Sequence, residues 1–119
     1  MSDDQIEQMI QEKGLNAPRV TPQRINDVIA SEHHFTAADG ITGASDGRVG
    51  YDSRHPMSLL TFCVLVLKNG FTVTGESACA SPENFDPEVG RKAARQNAVN
   101  KIWALEGYLL KQALHEAAQ

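Results

Sequence analysis

The spacing of hydrophobic positions changes several times along the chain, and each change marks an element. Over residues 3 to 13, Ile6, Met9 and Ile10 recur at helical spacing among acids and glutamines, which predicts a short amphipathic helix ending at Gly14. Thr21-Pro22 supplies a capping hydroxyl and a proline at the first helical position, where a missing N–H costs nothing. Ile25, Val28 and Ile29 then form one stripe, so a second helix is predicted to about Ser31. From Thr36 to Pro56 periodicity fades into Gly, Asp, Ser and Ala. This segment is predicted to be a long loop, with a short extended piece at Arg48-Val49-Gly50-Tyr51, of the kind that is either mobile or functional.

Leu59 to Leu67 is apolar almost throughout and leads through Lys68-Asn69-Gly70-Phe71 into a second β-rich run. Asn69-Gly70 suits a two-residue type I′ turn, so a hairpin of 59-67 with 71-77 is predicted. In that register Val66 opposes Val73, Val64 opposes Gly75 and Phe62 opposes Ser77. One face then carries Leu60, Phe62, Val64, Val66, Phe71 and Val73, and the other Leu59, Cys63, Leu65 and Leu67 opposite Thr72, Thr74 and Glu76. A strand that is apolar on both faces needs cover on both. A C-terminal helix covers one; the second cover is either the N-terminal helices or another copy of the chain, and the homo-oligomer is the favoured alternative.

That last helix is predicted to start at Asp86-Pro87-Glu88, with a cap, a proline and an acid in their preferred places. Ala94, Ala98, Ile102, Leu105 and Leu109 make its stripe, and the small residues at its start allow close approach to the sheet. Gly107 is expected to kink or end it, with Tyr108 to Ala117 as a further segment. The fold class is therefore α+β: a small antiparallel sheet built on the 59-67/71-77 hairpin, packed against C-terminal helices, with short N-terminal helices. One domain over 1-119 is expected, with 1-56 holding the N-terminal helices and Gly-rich loop and 57-119 the hairpin and C-terminal helices.

Charge narrows the function classes. Eleven Lys+Arg against 15 Asp+Glu leave a net charge of -4, which disfavours broad attraction to long nucleic acid and makes any anion site local. Cys63 and Cys79 have no second pair, so neither a disulfide framework nor a Cys-rich zinc site is indicated and a reduced, cytoplasmic setting is expected. The acidic start has no secretory pattern and no apolar run is long enough to span a bilayer.

Candidate chemistry is sparse. Gly75-Glu76-Ser77-Ala78-Cys79 lacks the closing glycine of a nucleophile elbow, and His33-His34, His55 and His115 show no metal-ligand spacing. No phosphate loop is present. An enzyme is thus the less favoured reading, and no cofactor is expected. Arg91, Lys92 and Arg95 sit in the first turns of the last helix, where the dipole disfavours cations, behind Asn84 and Asp86. On charge pattern alone, pairing of Glu88 with Arg91 and Lys92, and of Glu83 or Asp86 with Arg95, is favoured over a ligand site. Phe71, Phe85, Trp103 and Tyr108 are stacking candidates that more often serve as core, and Arg19, Arg48 and Arg54 lie in segments from which they could reach a phosphate.

Several stretches together resemble a family of small tailed-phage and prophage proteins: Leu67-Lys68-Asn69-Gly70-Phe71, Gly75-Glu76-Ser77-Ala78-Cys79, Asn84-Phe85-Asp86, Gly90-Arg91-Lys92-Ala93-Ala94 and Asn100 to Leu110. The match spans roughly 59 to 111, with a weaker one at Pro18-Arg19-Val20-Thr21-Pro22. The family includes phage anti-Thoeris sponge proteins, which bind without cleaving the cyclic ADP-ribose signals of TIR enzymes; some relatives bind cyclic trinucleotides of CBASS defence. The resemblance implies dimers or trimers of dimers with ligands at subunit boundaries, acting in the host cytoplasm. It further implies Asn84 and Asp86 as ribose or base contacts, and Arg91, Arg95 or Lys101 as phosphate contacts. Arg19 is a further candidate, with Phe71 the aromatic one. The alternative function is a non-catalytic phage protein that builds an assembly or contacts a host protein.

Overall fold

The computed structural model describes residues 1–119. Its elements are helix α1 (Asp3–Glu12), helix α2 (Pro22–Asp27), strand β1 (Ile29–Thr36), helix α3 (Ala37–Ala44), strands β2 (Leu60–Leu67) and β3 (Thr72–Ala78), and helix α4 (Pro87–Ala117). The strands form one antiparallel sheet in the order β1-β2-β3, so the fold is α+β. The apolar β2 lies in the middle, where both of its edges are hydrogen-bonded. No helix is long and apolar enough to cross a membrane.

Two segments of the N-terminal half differ from the sequence expectation. The second helix stops at Asp27, capped by Thr21, and the chain then enters β1 instead of running on to Ser31. Val28 and Ile29 satisfy a helical stripe and a strand equally well, and the free edge of β2 decides between them: His33 pairs with Val64, His34 with Cys63 and Phe35 with Phe62. The expected loop from Thr36 is instead α3, started by a capping box in which Thr36 Oγ1 accepts from the Asp39 N–H at 3.1 Å and Asp39 Oδ2 accepts from the Thr36 N–H at 3.0 Å. Arg48 to Tyr51 is irregular and forms no strand.

The hairpin exists, in a register one residue away from the expected one. The Gly70 N–H bonds the Leu67 carbonyl at 2.9 Å and the Leu67 N–H bonds the Phe71 carbonyl at 2.8 Å. Gly70 has φ +90 while Asn69 does not enter the positive-φ region. This is a three-residue connection, a type I turn closed by a glycine bulge. Leu65 therefore opposes Val73 and Cys63 opposes Gly75. One residue of slip exchanges the faces of β3: Val73 joins Thr61, Cys63, Leu65 and Leu67 on the buried face, while Thr72, Thr74 and Glu76 lie beside Phe62, Val64 and Val66 on the outer one.

Helix α4 packs on the buried face. Ala94 and Ala98 are fully buried there against Gly75, where an added Cβ would stand 2.2 Å from the Ala94 carbonyl oxygen. Ile25, Leu65, Val99 and Ile102 complete the core. The N-terminal helices lie on this same side: α2 contributes Ile25, and the Trp103 indole donates to Asp3 Oδ2 at 3.1 Å. They leave the outer sheet face without cover from either of them. Helix α4 is continuous through Gly107, with no break into two segments. Beyond Glu106 it buries no residue, and its tail carries the exposed Tyr108, Leu109 and Leu114.

Candidate functional site

Strand alternation on β1 turns Glu32, His34 and Thr36 toward the α4 side, opposite Leu65, Cys63 and Thr61. Helix α4 arrives there with its first turns, because Asp86 caps it: Asp86 Oδ1 accepts from the Glu88 N–H at 2.9 Å and the Val89 N–H at 3.1 Å. Gly90 allows the helix to settle on the sheet, since a Cβ at that position would lie 2.9 Å from Thr61 Oγ1. These three pieces enclose a cleft of about 90 Å³ lined by His34, Phe35, Thr36, Asp39, Thr61, Phe85, Pro87 and Arg91.

The polar atoms of this cleft are unusual for the molecule. Only two buried side-chain nitrogen or oxygen atoms in the chain lack a hydrogen-bond partner, His34 Nδ1 and Thr61 Oγ1. Both residues line the cleft. Thr61 is 3% exposed, so its unbonded hydroxyl carries a desolvation cost that a bound group would relieve. Arg91 makes no ion pair and no hydrogen bond, whereas its neighbours Lys92 and Arg95 are bound to Glu88 at 3.1 Å and to Glu32 at 2.9 Å.

Behind the cleft lies a fixed network. Glu32 receives His34 Nε2 at 2.8 Å through Oε2 and Arg95 Nε through Oε1. These bonds, that of His34 foremost and Arg95 next, hold the Glu32 carboxyl below its ordinary range. The Cys63 thiol is pushed up, by burial first and by the nearby Glu32 charge second, which keeps it protonated and inert. No group of three or more His, Cys, Asp or Glu is placed to hold a metal ion.

Of the residues singled out in the sequence, Arg91 lies in the cleft and is free, contrary to its expected pairing with Glu88. Asn84 is exposed in a 3-10 turn, Pro82–Asn84, that leads into the cap. Asp86 is committed to capping, and Arg95 to Glu32 rather than to Glu83 or Asp86. Glu83 bonds Arg54 instead, which lowers its carboxyl pKa. Arg19 clamps Glu7 with two bonds, at 2.5 and 2.7 Å, holding the Glu7 carboxyl at about 2. Lys101 is exposed ten residues further along α4 than Arg91, about 15 Å by helical rise. Phe71 is 55% exposed at the opposite end of the hairpin.

Phe71 borders a larger apolar hollow of about 570 Å³, together with Val28, Leu67, Leu105, Tyr108 and Leu109. Of its charged groups Arg24 and Glu106 satisfy one another at 2.8 Å, Asp27 accepts from Gln23, and Lys68 makes no ion pair. The sequence reading did not select His34, Thr36, Asp39 or Thr61. The Thr36-Asp39 spacing is a legible capping signal; the isolation of Thr61 and His34 is created only by packing.

No curated protein and no solved structure matches the chain. Residues 20–114 match the family described as "Phage protein (N4 Gp49/phage Sf6 gene 66) family". That match begins before α2, covers the whole sheet and ends near the end of α4, so this chain belongs to the N4 Gp49/phage Sf6 gene 66 family of phage proteins.

Proposed function

We propose that this phage protein is a non-catalytic sponge: it binds a small cyclic nucleotide signal of host defence, of the cyclic ADP-ribose type, and withholds it intact. The observation that carries this reading is the free Arg91 guanidinium in the same cleft as the only two unsatisfied buried polar side-chain atoms, His34 Nδ1 and Thr61 Oγ1. A cation with no internal partner beside groups that still need hydrogen bonds fits a phosphate ester bearing hydroxyl or base groups. Asn84, exposed at the approach to the helix cap, can contribute from outside. The cleft holds only part of such a ligand, so the remainder rests on the surrounding surface or on a second subunit.

An apolar outer face supports association with a second copy. Phe62, Val64, Val66 and Phe35 form an apolar outer sheet face, with the Phe35 and Phe62 rings stacked at 5.5 Å. Neither α4 nor the α1–α2 pair covers this face, α3 reaches its Phe35 end through Gly40, and a homo-oligomer that buries the remainder supplies the missing layer. The same face favours a second reading, a phage protein whose task is assembly or contact with a host protein.

The deciding experiment incubates the full chain with cyclic ADP-ribose isomers and cyclic trinucleotides, measures depletion of free ligand, then heats the complex and analyses what is released. Recovery of unaltered ligand supports the sponge; conversion during incubation would show an enzyme instead, and absence of binding by calorimetry favours the assembly reading. If binding survives both Arg91→Ala and Asn84→Ala unchanged, the ligand sits elsewhere.

A further inference from the structure

Resting on the sequestration reading, we infer that the cleft recognises a ribose hydroxyl through His34, with the adjoining phosphate on Arg91. The proton arrangement of the network leads to this. Glu32 is held in its ionised form by His34 and Arg95, and a carboxylate only accepts hydrogen bonds. The proton of a neutral His34 ring must therefore sit on Nε2, 2.8 Å from Glu32 Oε2. Nδ1 is then a bare lone pair, buried and without a donor. What it lacks is an O–H or N–H, and a phosphate diester has none to give.

The charges around the ring assign the two ends of the ligand. Facing His34 are Glu32 on its own strand, Cys63 on β2, Asp39 at the start of α3, and Arg91 and Arg95 from α4. Glu32 and Asp39 repel an anion from the β1 and α3 side, and Arg95 is already engaged. Arg91 is the one cation left to take the phosphate. Thr61, whose hydroxyl both donates and accepts, is suited to bridge the two groups. A cleft of about 90 Å³ has the volume of roughly three waters, enough for the hydroxyl edge of a sugar with its base outside.

The test is equilibrium binding of the full chain to adenosine 5′-monophosphate and to its 2′,3′-dideoxy analogue. The ribonucleotide is expected to bind about tenfold more tightly, the scale of one hydrogen bond to a buried acceptor. That ratio should collapse toward one in His34→Phe, with folding checked by circular dichroism. Equal affinities for the two nucleotides, or a ratio that persists in folded His34→Phe, overturns the inference and leaves sequestration standing. Failure of either nucleotide and of the cyclic signals to bind overturns both.

Discussion

Arg91 owes its freedom to its neighbours. Glu88 is taken by Lys92, Glu32 by Arg95 and His34, and Glu83 by Arg54, while Asp39, which also lines the cleft, accepts from the Thr36 N–H and makes no ion pair. Arg91→Ala is therefore expected to weaken ligand binding by about tenfold or more, in the range of a charge-assisted hydrogen bond, with little change in the thermal midpoint; parallel calorimetry and melting curves read both. Glu7 supports a prediction of a different kind. Its carboxyl sits at about 2, against an ordinary 4.5, chiefly because Arg19 hydrogen-bonds the charged form. A depressed carboxyl contributes stability above its unfolded value and loses it as pH falls through the folded one. The attachment of α1 should thus weaken between about pH 4.5 and about pH 2, and Glu7→Gln should remove that part of the pH dependence in a titration followed by Trp103 fluorescence. At this scale the sequence displayed Arg91 as a cation at an unfavourable helix end. It displayed nothing of Thr61 or His34, because whether a hydroxyl or a ring nitrogen goes unbonded depends on what packs over it.

Among the elements, the helix boundaries set by capping were legible and the strands were not equally so. Asp86-Pro87 starts α4 where the side-chain chemistry requires it, whereas Asn69-Gly70 admits two turn types, and the type I turn with its Gly70 bulge is the one adopted. The bulge sets which residue meets α4. Gly75 lies under Ala94 and Ala98, and a methyl group there collides with backbone, which cannot rotate away. Gly75→Ala is expected to cost about 2 to 3 kcal/mol in urea unfolding, the upper part of the overpacking range. Gly107 offers the contrast: no atom lies within 4 Å of an added Cβ, and the residue is helical. Gly107→Ala should stabilise α4 by about 0.5 to 1 kcal/mol, and a loss of stability instead would mean that the tail is packed against something a methyl group disturbs.

For the molecule as a whole, shape supports association. Its extents are 58 × 29 × 18 Å and its radius of gyration 18.2 Å, where a compact chain of this length has about 13 to 14 Å. The excess lies along α4, which at 31 residues is about 46 Å long, with a tail that buries none of its residues. A projecting helical segment of that length is marginal without a surface to lie on, and the outer sheet face has the same need. Val64→Lys, placed on that face in the central strand, is expected to shift the protein to monomer in size-exclusion chromatography with light scattering. A wild-type monomer at micromolar concentration would count against the proposed oligomer.

The sequence by itself determined the elements whose causes are local: the N-caps of α2 and α4, the presence though not the type of a turn after Leu67, the two-faced hydrophobicity of β2, and the family pattern running through the hairpin and α4. These depend on side chains bonding backbone within a few residues, or on a period that any reader of the chain can count. Tertiary structure alone decided that Ile29 to Thr36 is a strand, because its hydrogen-bond partner lies some thirty residues away on β2. It also decided which face of β3 is buried, since a single bulge residue inverts all of them. The cleft belongs to the same class. His34, Thr61 and Arg91 come from three elements separated in the chain, and their unsatisfied state exists only once β1 has paired and Gly90 has let α4 down onto Thr61.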